Sequence, residues 1–220
     1  MKYLLICTAF LISACHSQPT AKSISVIWPV NSLNSIAGLP TQAEGNPQLT
    51  TDAVFFDGDG DRLVVDNNPL AGAEEFTVEI IFKPYDTYPN NREPRFFHIE
   101  SVDNPNRRLT IELRLNDQQQ WYLDAYIKSE NSQLTLIDST KVHSVGEWFH
   151  VAITYKDQHF VSFVNGQKEL EGKVEYLPIP ENAKTSIGAR MNQIHWFYGE
   201  IKKIRVTHKA LLPEAFLKVD

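Results

Sequence analysis

The sequence contains only two cysteines, Cys7 and Cys15, and both lie near its start. Everything after Cys15 therefore lacks a disulfide bond, a cysteine nucleophile and a cysteine ligand for zinc. A domain formed by this part of the chain depends on its hydrophobic core alone.

Long apolar runs and blocks of like charge are also missing. No stretch reaches the length of about 18 apolar residues that a membrane-spanning helix needs. The formal net charge is −6, and no run of five like charges occurs. A mildly acidic chain without clustered Lys and Arg is poorly suited to phosphate backbones, so we predict no nucleic-acid partner.

The first fourteen residues have the layout of an export signal. Lys2 supplies a positive end, and Tyr3–Ile12 form an apolar run of about ten residues, too short to span a bilayer. The tetrapeptide Ile12–Cys15 resembles the lipobox of bacterial lipoproteins, which implies that Cys15 becomes the acylated first residue. The alternative is an ordinary secretory signal cleaved near Ala14, which leaves an unpaired cysteine.

Cleavage before Cys15 leaves 206 of the 220 residues and a formal charge of −7, because Lys2 is removed. We predict a signal peptide at 1–14, an acylated cysteine and polar tether at 15–23, and one domain at 24–220. The lipid would be the only anchor. His16, rather than Asp, follows Cys15, which by resemblance to sorting rules suggests the outer membrane of a Gram-negative cell envelope.

The rest of the chain reads as short strands separated by Gly, Asn, Asp or Pro. A hydrophobic content of 42% and an aromatic content of 11% are enough for a core. Asn165-Gly166 predicts a hairpin turn, and Pro213–Lys218 is the one helical stretch. The pattern predicts an all-β antiparallel sandwich or barrel. The predicted strands are Val54–Asp57, Arg62–Asp66, Phe76–Lys83, Arg95–Glu100, Arg108–Leu115, Trp121–Lys128, Gln133–Asp138, Trp148–Lys156, Phe160–Asn165, Thr185–Ala189 and Gly199–Thr207.

An ordered series of short motifs carries a family resemblance. The series is Phe56-Asp57-Gly58 with Asp61, Phe76-Thr77-Val78-Glu79, Pro84, Trp148-Phe149-His150-Val151-Ala152, Tyr155, Val164-Asn165-Gly166, Ser186-Ile187-Gly188, Phe197-Tyr198-Gly199-Glu200-Ile201, Arg205-Val206 and Ala210-Leu211. Over residues 50–217 it resembles the laminin-G-like branch of the concanavalin A-like lectin/glucanase superfamily. The resemblance implies a jelly-roll sandwich of two antiparallel sheets. It says less about function, because this fold carries lectins, adhesion modules, hydrolases and lyases.

Alternation in the central strands predicts one strongly charged sheet face. Leu109, Ile111, Leu113 and Leu115 share one side of their strand. In the preceding strand Phe96, His98 and Glu100 alternate with Phe97 and Ile99. The charged face would present His98, Glu100, Arg108, Glu112, Arg114, Tyr122, Asp124 and Tyr126.

This mixture of planar donors, carboxylate acceptors and aromatic rings suits a carbohydrate, because sugars offer both hydroxyls and an apolar ring face. A second cluster, Arg190, Asn192, His195 and Trp196, precedes the last strand and is placed to overhang such a groove. The alternative is a solvated face, since cross-strand ion pairs also stabilise an exposed sheet, and Trp196 would then be a core anchor.

Two catalytic patterns occur in enzymes of this superfamily. The Glu-x-Asp-x-x-Glu strand of related glucan hydrolases is absent. Thr110–Arg114 and Gln193–His195 resemble two motifs of polysaccharide lyases on this fold, in which Arg neutralises a uronate and His or Tyr removes a proton. The second motif lies too near the C-terminus, and the Tyr-Phe-Lys-Ala-Gly strand of those lyases is missing.

Asp57-Gly58-Asp59-Gly60-Asp61 resembles the start of a calcium loop, but Arg62 replaces the glycine at its sixth position. A tight turn is favoured, and Asp57 or Asp59 remains a candidate ligand for Ca²⁺; no other cofactor is expected. We therefore predict a membrane-anchored domain that binds a carbohydrate or another extracellular polymer. The alternatives are a polysaccharide-degrading enzyme, a lyase rather than a hydrolase, and a structural envelope lipoprotein that docks on a protein.

Overall fold

A computed structural model describes residues 24–219 as two antiparallel sheets with almost no helix. The strands are β1 (Ser25–Pro29), β2 (Ser35–Ile36), β3 (Leu39–Glu44), β4 (Gln48–Leu49), β5 (Val54–Asp57), β6 (Arg62–Val65), β7 (Phe76–Pro84), β8 (Arg95–Glu100), β9 (Arg107–Leu115), β10 (Gln120–Ser129), β11 (Ser132–Ile137), β12 (His143–Ser144), β13 (Phe149–Lys156), β14 (His159–Val164), β15 (Gln167–Lys173), β16 (Lys184–Ile187) and β17 (Tyr198–Thr207).

The strands form one eight-stranded and one nine-stranded sheet. The eight-stranded sheet has the order β15-β14-β13-β7-β17-β5-β4, with β1 also paired to β17. The nine-stranded sheet has the order β11-β10-β9-β8-β16-β6-β3-β2, with β12 also paired to β10. Neighbours in these orders are often far apart in sequence, as expected for a jelly-roll sandwich, and the predicted fold class is confirmed.

Aromatic side chains from both sheets meet in the core. Phe82 of β7 stacks on Phe96 of β8 with ring centroids 4.6 Å apart, and its ring meets Trp121 of β10 edge-on at 5.4 Å. All three side chains are fully buried. Burying a side chain of this size stabilises the fold by about 1.5–3 kcal/mol, so such contacts hold the two sheets face to face.

The predicted hairpin turn at Asn165-Gly166 is present. Asn165 and Gly166 join β14 to β15 with φ of 48° and 78°, the left-handed conformations that a tight two-residue hairpin requires. Strands β9 and β10 pair as a hairpin in which Asp124 lies opposite Glu112 and Tyr126 opposite Thr110. This register places the charged side chains on the side of the sheet that faces away from the core.

Some elements differ from the sequence prediction. The strands β1, β3 and β15 were not predicted, and β3 and β15 are polar, half-exposed segments. The predicted helix over Pro213–Lys218 is wrong: only Pro213–Ala215 form a turn of 3₁₀ helix. The segment instead lies along the eight-stranded sheet, where Phe216 packs against Phe163 at 5.1 Å.

The predicted signal peptide, Cys15 and the tether lie outside the described residues. Within residues 24–219, no helix is long and apolar enough to cross a membrane.

A buried carboxylate joins three strands of the eight-stranded sheet to the C-terminal segment. Glu79 of β7 is fully buried, and its Oε1 lies 3.0 Å from His150 Nε2 and accepts the backbone N–H of Leu217 at 2.7 Å. Arg205 Nε donates to the other oxygen. Burial raises the pKa of Glu79, but the hydrogen bonds from His150, Arg205 and Leu217 outweigh it, so the pKa lies below its ordinary value.

We expect Glu79→Gln to lower the free energy of unfolding at neutral pH by about 3 kcal/mol, because it leaves the half-buried Arg205 without its carboxylate. A lowered pKa means that the stabilisation is complete above the ordinary value and is lost as the pH falls through the folded-state pKa. Urea unfolding from about pH 7 to about pH 3 should show the difference between wild type and variant narrowing as the pH falls.

Glu175→Gln is the matched control, since Glu175 is exposed. This substitution should change the free energy of unfolding by less than about 0.5 kcal/mol. A Glu79→Gln difference that does not change with pH would contradict the assigned role of the buried carboxylate.

Candidate functional site

A cavity of about 340 Å³ lies on the outer face of the nine-stranded sheet, over β8 to β11. Six of its lining residues were predicted from the sequence: Arg108, Glu112, Arg114, Asp124, Tyr126 and Arg190. Four were not: Arg95, Thr110, Thr135 and Ile137. We call this site the arginine cavity, because four guanidinium groups face two carboxylates in it.

Glu112 is at the centre of the arginine cavity. Its Oε2 lies 3.3 Å from Arg95 Nε and 3.7 Å from Arg114 Nη1, and its Oε1 lies 3.7 Å from Arg190 Nε. Arg114 also meets Asp124, with Nη2 and Oδ2 2.5 Å apart. One carboxylate is therefore shared by three arginines, while the second is held mainly by one.

Burial governs the titration of both carboxylates. It raises the pKa of Glu112, and the positive charge of Arg95 opposes this only in part. Burial also raises the pKa of Asp124 against the opposing charge of Arg114. For the charged form of each carboxylate, the free-energy cost of desolvation thus exceeds the stabilisation by the neighbouring guanidinium groups.

An aromatic ring forms part of the cavity wall. The Arg108 guanidinium lies over the Tyr126 ring at 5.3 Å from its centroid, and Tyr126 Oη donates to Gln133 at 2.9 Å. The ring is half-buried. A ring fixed at its hydroxyl in this way offers a flat apolar surface beside charged donors.

Arg95 was missed because β8 contains a β-bulge. The register with β9 shifts between Arg95, opposite Glu112, and Phe97, opposite Ile111. The extra residue sends Phe96 into the core, so its predicted alternation with His98 and Glu100 is wrong, and Arg95 takes the outer position. The position of such a bulge cannot be predicted from a simple two-residue alternation of apolar and polar residues.

His98 does not face a ligand as predicted. It is only 1% exposed, and its Nδ1 accepts the backbone N–H of Met191 at 3.0 Å. Burial lowers the pKa of His98, which favours the neutral ring that this hydrogen bond needs. Its Nε2 lies 3.4 Å from Glu100 Oε2. His98 and Glu100 therefore support the segment that follows β16, and neither lines the cavity.

Arg62 supports the same segment from the other side. It donates from Nη1 to the carbonyl oxygens of Arg190 and Met191 at 3.3 and 3.2 Å. Glu44 fixes the Arg62 guanidinium through two bonds, at 2.7 and 2.9 Å. This arrangement places the Arg190 side chain at the cavity.

The remaining predicted residues lie near the cavity without lining it. Tyr122 pairs in register with Arg114 on the same sheet. Asn192 and His195 are exposed, and His195 Nδ1 lies 3.2 Å from Asn91 Oδ1. Trp196 is half-buried beside Arg95, where the two backbones form an isolated bridge, and it is not a core residue.

The lyase-like motif is not assembled at the cavity. Gln193 and His195 both have positive φ, 56° and 57°, in an irregular exposed segment rather than on a strand. His195 has a pKa lowered by burial and then by the charge of Arg95. It is near the arginines but is not among the lining residues.

The acidic segment at Asp57 forms a tight turn. Asp57 Oδ1 accepts the backbone N–H of Asp59 at 2.8 Å, and Asp61 Oδ2 accepts that of Asp57 at 3.0 Å. In the part of the chain that the structure describes, no group of three or more His, Cys, Asp or Glu is placed to hold a metal ion. A calcium ligand at Asp57 or Asp59 stays a prediction.

The strands that form the cavity lie within a segment that matches a known family. The family model Laminin_G_3, described as the concanavalin A-like lectin/glucanases superfamily, matches residues 57–215. This chain belongs to that family. The match covers well over half of the chain and includes the cavity, and the predicted family resemblance is confirmed. No curated protein matched the chain in the sequence comparison.

Solved structures agree with the concanavalin A-like fold. Domain 4 of AbnA, a GH43 extracellular arabinanase from Geobacillus stearothermophilus in complex with arabinotriose, is 17% identical, with a TM-score of 0.63 over 88% of this chain and 97% of that chain. The botulinum neurotoxin serotype D binding domain is 18% identical, with a TM-score of 0.62 over 86% of this chain and 49% of that chain.

A third match is the binding domain of botulinum neurotoxin DC in complex with SialylT. It is 21% identical, with a TM-score of 0.61 over 86% of this chain and 49% of that chain. At such identities the likeness concerns the fold.

We expect Arg62→Ala to loosen the segment that carries Arg190, because a charged donor to two carbonyls is lost. Amide hydrogen exchange of a peptide spanning 188–194 should become at least about tenfold faster, as expected for the loss of charge-assisted hydrogen bonds.

Arg107→Ala is the matched control. Arg107 likewise joins a glutamate, Glu130, and a backbone carbonyl, that of Pro178, at another place in the sandwich. Its removal should speed exchange near 176–179 and leave 188–194 unchanged. Equal exchange at 188–194 in wild type and Arg62→Ala would show that Arg62 does not hold this segment.

Proposed function

We propose that this protein is a membrane-anchored domain that binds a carbohydrate or another extracellular polymer in the arginine cavity. The observation that carries the proposal is the cavity itself, which combines guanidinium donors, carboxylate acceptors and the Tyr126 ring on the outer face of one sheet. A solvated face would need no such convergence of half-buried charged groups.

The chemistry of the cavity supports a sugar. Sugar hydroxyls need both donors and acceptors, which arginine and carboxylate side chains supply at close range. The Tyr126 ring is placed to stack on the apolar face of a sugar ring. Structural neighbours in complex with arabinotriose and SialylT add support, since they show that this fold accommodates saccharide ligands in other proteins.

We assign binding rather than bond cleavage to the cavity. Glu112 and Asp124 both contact arginines, so neither carboxylate stands ready as a free acid or base. The His195 ring of the lyase-like motif is not in the lining, and Tyr126, which is, contacts Arg108 and donates its hydroxyl to Gln133. Binding needs only the side chains that the cavity already presents.

The anchoring part of the proposal comes from the sequence. Cys15 follows an apolar segment with a lipobox-like end, and it is the last cysteine in the chain. An acylated cysteine with two or more acyl chains gives stable attachment, at about 0.8 kcal/mol for each buried CH₂.

A glycan array probed with the full chain tests ligand binding. We expect retention on at least one glycan and its loss, by at least about tenfold in affinity, in Arg114→Ala plus Asp124→Ala. The two residues are removed together because one alone would leave a buried unpaired charge. The melting temperature should shift by less than about 4 °C.

The matched control removes an exposed ion pair on the other sheet, Lys168→Ala plus Glu171→Ala, whose charged atoms are 3.2 Å apart. This variant should keep full retention. Wild-type binding to no glycan, or equal binding by the cavity variant while it remains folded, would reject the proposal.

Cys15→Ser tests the anchor separately. We expect the variant to move from the membrane fraction to the soluble fraction, since the lipid would be the only attachment. Its circular dichroism and melting curve should match those of the wild type. A variant that stays with the membrane at the wild-type level would rule out acylation of Cys15 as the anchor.

A further inference from the structure

The arginine cavity contains charged donors whose hydrogen bonding is incomplete in the part of the chain that the structure describes. Arg95 is only 8% exposed, and its Nη2 donates to Glu93 at 3.2 Å, but its Nε and Nη1 have no hydrogen-bond partner among residues 24–219. Arg108 Nε and Arg190 Nε are also buried and have no hydrogen-bond partner among the described residues, although Arg108 Nη1 donates to the Pro105 carbonyl and Arg190 Nε lies 3.7 Å from Glu112 Oε1. Most buried polar atoms in folded proteins have a partner, so several orphaned donors around one cavity indicate a site that a ligand completes.

Four arginines line the cavity together with two carboxylates, and Glu93 beside the lining contacts Arg95 at 3.2 Å and Arg114 at 3.4 Å. Glu112 alone is shared by Arg95, Arg114 and Arg190, at 3.3 to 3.7 Å. Asp124 is taken up by Arg114. The lining therefore has an excess of positive charge, which Glu93 reduces but does not cancel, although the whole protein has a formal charge of −6.

Two of the arginines are placed to meet a ligand. Within the described residues, the charged partner of Arg190 is Glu112 at 3.7 Å, and its side chain remains 19% exposed. Arg108 lies over the Tyr126 ring with its side chain at the cavity. The planar guanidinium group pairs with two oxygens of one anionic group, which hydroxyls match less well.

We propose that the ligand is an acidic carbohydrate whose carboxylate or sulfate group pairs with Arg190 and Arg108. The Tyr126 ring would contact the sugar that bears this group. This inference rests on the proposed function and adds to it the chemical class of the ligand. A neutral sugar would supply acceptors but would leave the excess positive charge uncompensated.

Matched pairs of polymers test the inference with the full chain. The first pair is polygalacturonate and its fully methyl-esterified form, and the second is dextran sulfate and dextran. We expect the acidic member of at least one pair to bind at least about tenfold more tightly than its neutral partner, with the preference weakening as salt is added. The two pairs distinguish a carboxylate from a sulfate.

Arg190→Gln should remove most of that preference, because the charge is lost while the side chain keeps similar polarity. Lys173→Gln is the control: Lys173 is exposed on β15 of the opposite sheet, and its loss changes the net charge equally. Should Arg190→Gln fail to fold, as judged by its melting curve, Arg108→Gln replaces it.

Equal affinity for acidic and neutral members, or a preference that Lys173→Gln reduces as much as Arg190→Gln does, would overturn the inference. So would binding of neutral glycans on the array together with no binding of either acidic polymer, and in that case the proposed function would stand. Binding to no glycan or polymer of any kind would reject both.

Discussion

The contact of Glu112 with three guanidinium groups is the interaction on which the candidate site depends. Arg95 comes from β8, Glu112 and Arg114 from β9, and Arg190 from the segment between β16 and β17. Parts of the chain almost one hundred residues apart in sequence meet at one carboxylate. The sandwich core fixes the strands, and Arg62 and His98 fix the later segment, so that the charges converge.

The two buried carboxylate clusters of this protein differ in how completely their hydrogen bonds are made. Glu79 on the eight-stranded sheet is fully buried, and its oxygens receive bonds from His150, Arg205 and Leu217. Glu112 is almost as buried, but among the described residues its Oε1 has no hydrogen-bond partner. N–H groups of the neighbouring Arg95 and Arg190 also lack one. A cluster whose hydrogen bonds are all made stabilises the fold, whereas an incomplete one at a cavity costs free energy until a ligand supplies the missing donors and acceptors. Such a cost is typical of binding sites.

Much of this arrangement could be predicted from the sequence, and the exceptions have physical causes. Two-residue alternation placed Arg108, Glu112, Arg114, Asp124 and Tyr126 on one face, because strands packed on a core enforce that period. Arg95 was missed because the bulge at Phe96 interrupts the period. His98 lies on the predicted face of the sheet, but the segment around Met191 covers it. The local sequence pattern of a strand contains no information about a contact with so distant a segment. Strand β15 is polar because it is an edge strand paired only with β14, and a polar edge strand lacks the apolar alternation of a central one.

The lipid anchor that we propose is compatible with an open cavity. Strand β1 begins at Ser25, which pairs with Thr207 in the eight-stranded sheet, so the tether would enter the sandwich on the sheet opposite the arginine cavity. The eight residues from His16 to Ser23 span at most about 30 Å when fully extended. A domain held this close to a bilayer gains access to a long polymer only if its binding face is not the face where the tether enters. Placing the tether and the cavity on different sheets satisfies that constraint.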